Sequence, residues 1–239
     1  MNSNVITLYK HIGETPLAAL DRLRLEKPEL KDATLSYIGR LDPMAEGAML
    51  VLVGEENKNR EKYLSLDKEY VCEVLFGIAT DTHDLLGLVT EIDENTTITK
   101  ESVEEKLKIF LGTRMQSYPA YSSKPVDGPT PDGTGRVNKP LHQWEREGKI
   151  DAITIPKKEI VIYAIELEDF FSIEKEILAK IIIDRIGLVY GDFRQTEILA
   201  RWADTLARMH SESFFVAKIF VSCSSGTYVR VIADELGKM

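Results

Sequence analysis

The stretch Tyr37-Ile38-Gly39-Arg40-Leu41-Asp42-Pro43-Met44-Ala45-Glu46-Gly47 carries a carboxylate on a turn that opens into the apolar run Met49 to Val53. Pro43 fixes its own φ and pushes Asp42 away from helical geometry, and Gly39 and Gly47 permit tight backbone on either side. This is a rigid mount for one acid, as a catalyst would need. The same residues suit a solvated turn cap, because Asp before Pro is ordinary turn chemistry. The remainder of the chain has to separate the two.

Around that turn, Val5 to Lys10 reads as a strand and Gly13 breaks it. Thr15-Pro16 then starts a helix with Leu17, Leu20 and Leu23 on one face until Pro28. Met49 to Val53 reads as a buried strand, Glu55 to Leu64 as polar and helical, and Glu69 to Phe76 as a half-buried strand ended by Gly77. Thr80 to Asp84 is a polar loop, Leu88 to Ile92 a short strand, and Thr99 caps a helix carrying Val103, Leu107 and Phe110. Glu159 to Phe171 and Ser213 to Ser222 are further strands. Residues 173 to 209 read as two helices parted near Gly191, with Trp202 in the core, and Gly226-Thr227 leads into a last helix bearing Val229, Ile232 and Leu236.

From Ser117 to Lys149 the sequence turns irregular. Five prolines alternate with Gly128, Gly133 and Gly135, and Lys124, Arg136, Lys139, Arg146 and Lys149 recur. We expect a long exposed loop with some helix near Trp144, suited to gripping a ligand. The mixture of strands and helices without a regular βαβ period gives the α+β class, with a mixed, mostly antiparallel central sheet flanked by helices and loops.

The 239 residues include 44% hydrophobic ones, enough for a full core. A net charge of -9 counts against non-specific nucleic-acid binding by bulk charge, so any RNA partner must be gripped by a local basic face. No apolar run reaches the roughly 18 residues of a membrane span, and the start lacks a signal-peptide layout; we expect no membrane association and a cytoplasmic location. Cys72 and Cys223 suggest neither a disulfide framework nor a metal cluster. No glycine loop of the nucleotide type and no zinc or calcium spacing occurs, so no metal or cofactor is expected.

Three ordered stretches carry a resemblance. They are Gly39-Arg40-Leu41-Asp42-Pro43 with Ala45-x-Gly47, Pro119-Ala120-Tyr121-Ser122-Ser123-Lys124-x-x-Asp127-Gly128, and Cys223-Ser224-Ser225-Gly226-Thr227-Tyr228-Val229-Arg230. Together they resemble the TruB family of tRNA pseudouridine synthases. Lys10-x-x-Gly13-x-Thr15-Pro16, Asp67-Lys68-x-Tyr70 and Thr80-Asp81-Thr82-x-Asp84-x-x-Gly87 add further matches. The resemblance implies a pseudouridine synthase fold over 1–239 and isomerisation of one uridine (position 55) in the T-loop of tRNA, without cofactor or metal. It implies that Asp42 is the ionised carboxylate, acting as nucleophile or base. Arg230 is then the arginine that pairs with it, and Tyr70 the tyrosine that stacks on the flipped base. Asp84 falls near the target nucleotide and Tyr228 beside the active site. Arg40, Tyr121 and Lys124 belong to substrate binding, Lys124 within an RNA-gripping loop over 123–150 that meets the T-arm of a tRNA partner; a monomer is expected.

Several positions depart from the family pattern. Tyr37-Ile38-Gly39-Arg40 stands where the family usually has His-Thr-Gly-Thr/Ser, and Tyr37 is the candidate to stack in place of the histidine. Arg40 also resembles the Gly-Arg-Leu-Asp core of ribosomal-RNA pseudouridine synthases of the RsuA and RluA kind, which keeps rRNA open as an alternative substrate. Ser225 replaces a usual lysine; residues 128–136 look like an insertion, as do the helices over 173–209. The sequence stops at Gly237-Lys238-Met239, before the Leu-Arg-Arg segment and C-terminal RNA-binding domain that the resemblance would place next. An RNA-binding or RNA-folding protein with little turnover is therefore the other alternative.

Overall fold

A computed structural model describes residues 4–95, 97–130 and 134–239. Along the chain run β1 (Val5–Lys10), α1 (Pro16–Glu26), β2 (Leu35–Ile38), β3 (Gly47–Val53), α2 (Arg60–Leu64), β4 (Lys68–Leu75), β5 (Ile78–Thr80) and β6 (Val89–Ile92). They are followed by α3 (Lys100–Leu107), β7 (Gly112–Ser117), β8 (Pro125–Pro129), β9 (Arg136–Pro140), α4 (Leu141–Arg146), β10 (Lys157–Glu174), α5 (Lys175–Gly187), α6 (Gln195–Arg208), β11 (Ser213–Cys223) and α7 (Val229–Gly237). This is an α+β fold.

The chain divides into two units, residues 1–67 with 174–209, and residues 68–173 with 210–239. In the first, β3 lies between β1 and β2, antiparallel to both. Helix α1 starts at Thr15, whose hydroxyl accepts the Ala18 N–H, with Pro16 in the first turn. It buries Ala19, Leu20 and Leu23 against Leu8, Met49 and Val51. The sequence expectation put Leu17 on this face, but Leu17 is exposed; a helix advances 100° per residue, so 19, 20 and 23 form one stripe and 17 falls outside it. In the same unit α5 buries Leu178, Ile182 and Ile186, and α6 buries Ile198, Trp202 and Leu206. Both series step by four, the spacing that makes a helix ridge. Trp202 is core, as expected.

The second unit has a sheet in the order β4-β11-β10-β7, with β4 antiparallel to β11 and β7 antiparallel to β10. Val74, Ile160, Ile162, Ile219 and Val221 meet α3 and α7 in its core. Thr99 and Ser102 close a capping box on α3, each side chain serving the other's backbone N–H.

The expected long loop is corrected here. Residues 125–140 contain the antiparallel hairpin β8–β9, followed by α4, and Leu141 and Trp144 are fully buried. The prolines hid the strands: Pro125 faces Pro140 at the open end of a ribbon that, among the described residues, carries no further strand, where a missing N–H does no harm. Gly128 lies against the Trp144 ring, where a Cβ would collide. Of the stretch read as an insertion, Pro131, Asp132 and Gly133 lie outside the described residues, as do Met1, Asn2 and Ser3 of the chain start and Thr96.

Candidate functional site

In the first unit, Asp42 follows β2 and sits on a turn closed by the Ala45 N–H donating to the Asp42 carbonyl at 3.0 Å. The segment after β1 fastens this turn. The Gly13 N–H donates to Pro43 O at 2.8 Å, and the Lys10 ammonium donates to Ala45 O at 2.5 Å and to His11 O at 3.1 Å. Lys10 is fully buried. Burial pushes its pKa down to about 8, against the upward pull of Glu14, Asp42 and Glu46. Asp42 itself is half-buried and Arg40 exposed, while the Tyr37 ring packs on the core of this unit from β2.

In the second unit, Arg230 leaves the first turn of α7 and its guanidinium donates to Thr82 O and to Tyr121 O, each at 2.8 Å. It also lies 5.5 Å from the Tyr228 ring centroid. Tyr228 meets Tyr118 edge to face at 5.7 Å, and the Lys124 ammonium lies 5.3 Å from the Tyr118 ring. The structure thus gathers Arg230, Tyr121, Tyr228 and Lys124 of the expected residues into one group. Tyr70 lies on β4 opposite Val221, half-buried and packed on the core. Asp84 accepts the Thr82 hydroxyl at 2.6 Å and the Leu86 N–H at 2.9 Å, so it ties its own loop.

Four residues without an assigned role in the sequence now have one in the geometry. Lys10 holds the Asp42 turn through Ala45 O. Gln116, almost fully buried, pairs with the backbone of Tyr228 through both ends of its amide. His83, at φ 61°, has Nδ1 3.0 Å from Asp234 Oδ1, one helical turn beyond Arg230 on α7. Burial holds its pKa below the usual histidine value, with Asp234 pulling upward and Arg230 and Lys238 adding to the depression. Lys10 ends β1 and Gln116 lies in a mostly polar strand, so neither had a local signal in the sequence, and His83 and Asp234 had none either. At Ser225, where a lysine was expected from the resemblance, the carbonyl accepts from the Lys158 ammonium at 2.6 Å. Among the described residues no cluster of His, Cys, Asp or Glu could hold a metal ion, and no helix is long and apolar enough to cross a membrane.

Comparison with known proteins gives a consistent result. Residues 27–183 match the family described as TruB family pseudouridylate synthase (N terminal domain). The chain is similar to proteins named tRNA pseudouridine synthase B. It is 27% identical to that of Carboxydothermus hydrogenoformans, over 98% of this chain and 63% of the relative. It is 28% identical to that of Caldicellulosiruptor saccharolyticus, over 99% and 62%, and 33% identical to that of Fusobacterium nucleatum subsp. nucleatum, over 74% and 56%. It therefore spans less than two thirds of the length of these relatives. Among solved structures, a chain of a Cbf5-Nop10-Gar1 complex matches with a TM-score of 0.52 at 14% identity, over 98% of this chain and 43% of that one. That likeness is one of fold.

Proposed function

This chain belongs to the TruB family of pseudouridylate synthases, and from that premise we propose that it isomerises a uridine in the T-loop of tRNA, position 55, to pseudouridine. The observation that supports this most is that the matched span contains the Asp42 turn, with its half-buried carboxylate on a mount held by a buried lysine and two backbone hydrogen bonds. The reaction breaks the bond from the ribose C1′ to uracil N1, turns the base, and joins C1′ to C5. The proton leaves C5 and N1 gains one, so no co-reactant is consumed. Asp42 supplies the ionised carboxylate, as nucleophile or base. Arg230 supplies the balancing cation and Tyr70 the stacking face for a base flipped out of its loop.

Tyr37, Asp84 and Tyr228 are read as contacts to the target nucleotide, and Tyr121 and Lys124 as contacts to the T-arm, Lys124 within a gripping segment over 123–150. The helices over 173–209 are read as an insertion in a single catalytic domain over 1–239. The chain is read as a monomer acting in the cytoplasm. The exposed Arg40 favours a second reading, the same isomerisation on another RNA such as rRNA.

The test is tritium release from a tRNA transcript labelled at uridine C5. The native chain should release label, and Asp42→Asn should lose about 1,000-fold or more of the rate. Equal release from both would overturn the reading. Mapping the modified uridines in total RNA separates the T-loop from rRNA, and retention of tRNA without release identifies a binding protein.

A further inference from the structure

We propose that Gln116 is a positioning residue for Arg230, and that β7 as a whole acts as the jig for the start of α7. The inference rests on the reading of Arg230 as part of a pseudouridine synthase site. Gln116 is 3% exposed. Its Nε2 donates to Tyr228 O at 3.1 Å, and its Oε1 accepts the Tyr228 N–H at 2.8 Å. One side chain thus occupies both polar groups of one peptide unit's residue, as a neighbouring strand would. Tyr228 immediately precedes α7, and no side chain of its own caps that helix. The start of α7 is therefore registered by another element.

Alternate residues of a strand share a face. Arg114 and Gln116 follow that rule in β7, Tyr118 continues it one residue past the strand's end, and all of them reach α7 or the residue before it. Arg114 pairs with Glu235, Gln116 holds the Tyr228 backbone, and Tyr118 meets the Tyr228 ring. Contacts at Tyr228 and Glu235 are about two helical turns apart, which fixes both the translation and the rotation of the helix. Arg230 lies between them. Its fork onto Thr82 O and Tyr121 O, carbonyls of two different loops, needs that registration, because a small turn of α7 would carry the guanidinium off one of them. The amide pairing is neutral and directional, so it sets position without adding charge beside Arg230.

The experiment uses the full chain with Gln116→Leu, which keeps the bulk and removes the amide, and Gln116→Glu, which keeps the acceptor for the Tyr228 N–H. Hydrogen exchange is followed by NMR at the Tyr228 amide and the Arg230 guanidinium, alongside kcat and KM for tritium release. In Gln116→Leu both exchange rates should rise about tenfold or more while the amides of 232 to 236 keep theirs. The kcat should fall about 100-fold with KM nearly unchanged, and Gln116→Glu should lie between. An unchanged Arg230 signal, an unchanged kcat in an active chain, or acceleration of all α7 amides together would overturn the proposal, the last marking Gln116 as merely structural. If the native chain releases no tritium, the pseudouridine reading fails on its own, and the Arg230 exchange still decides whether Gln116 positions it.

Discussion

Asp42 and Arg230 are mounted by opposite means: carbonyls of the Asp42 turn are held by a buried ammonium and a glycine N–H, whereas the helix carrying Arg230 is registered by a buried neutral amide. A buried charge is costly unless it is satisfied, and Lys10 has two carbonyl partners in the structure. A buried amide has no ionisation to lose. The first mount should therefore respond to alkaline pH and the second should not. Acid sensitivity in the second unit comes from His83, in the loop on which Arg230 rests.

The strongest way to break the first mount is Gly13→Ala. Gly13 has φ 88°, a Cβ there would run into the carbonyl of Leu188, and its N–H and C=O are both used, toward Pro43 and from Tyr190. Left-handed backbone costs an L-residue about 1–2 kcal/mol and the clash about 1–3 more. We expect thermal unfolding to show a loss of about 3 kcal/mol, with activity falling further than stability because the Pro43 contact slips. A change as small as that of an exposed substitution would mean the turn does not depend on this segment.

Lys10→Met sharpens the comparison. With its pKa near 8 in the folded chain and near 10.5 when unfolded, Lys10 releases its proton earlier in the native state. Between those values the unfolded chain binds more protons, so native stability rises with pH relative to Lys10→Met, by at most about 3 kcal/mol in all. Below pH 8 the difference between the two proteins should be flat. Melting curves of both from pH 7 to 10.5 would show this, and parallel curves throughout would remove the buried charge from the account.

Much of each mount was legible in the sequence, and what was not has a common cause. Asp42-Pro43 between glycines announces a turn by local sterics, and Thr15-Pro16 announces a helix in the same way. Periodicity likewise placed β1, β3, α6 and α7, because a buried face repeats within the element itself. Lys10 and Gln116 carried no such local signal: the carbonyl of the Asp42 turn that Lys10 meets is 35 residues away and the peptide that Gln116 meets is 112 away. The β8–β9 hairpin escaped for another reason. Its prolines and Gly128 read as loop by propensity, and only the fully buried Trp144 ring lying against Gly128 explains why glycine stands in a strand there.

The smallest effect is expected at His83, and it tests whether the second mount is free of titration where Arg230 needs it to be. His83 is half-buried at φ 61° with Asp234, Arg230 and Lys238 around it, and the net result is a pKa below the ordinary value. As pH falls through about 6.5, the unfolded chain takes up a proton before the folded one does, so stability is lost on the acid side. Asn accepts left-handed backbone and does not titrate, so His83→Asn isolates the proton from the turn. Between pH 7.5 and 5 the native chain should lose stability relative to His83→Asn, while above pH 7.5 the gap should stay constant. The protection of the Arg230 guanidinium against exchange, taken relative to free arginine at the same pH, should not move with pH in that variant, because Thr82 O and Tyr121 O carry no proton to lose. A pH-dependent Arg230 signal that disappears in His83→Asn would instead make the 80–84 loop, and not the Gln116 amide, the element that sets the arginine.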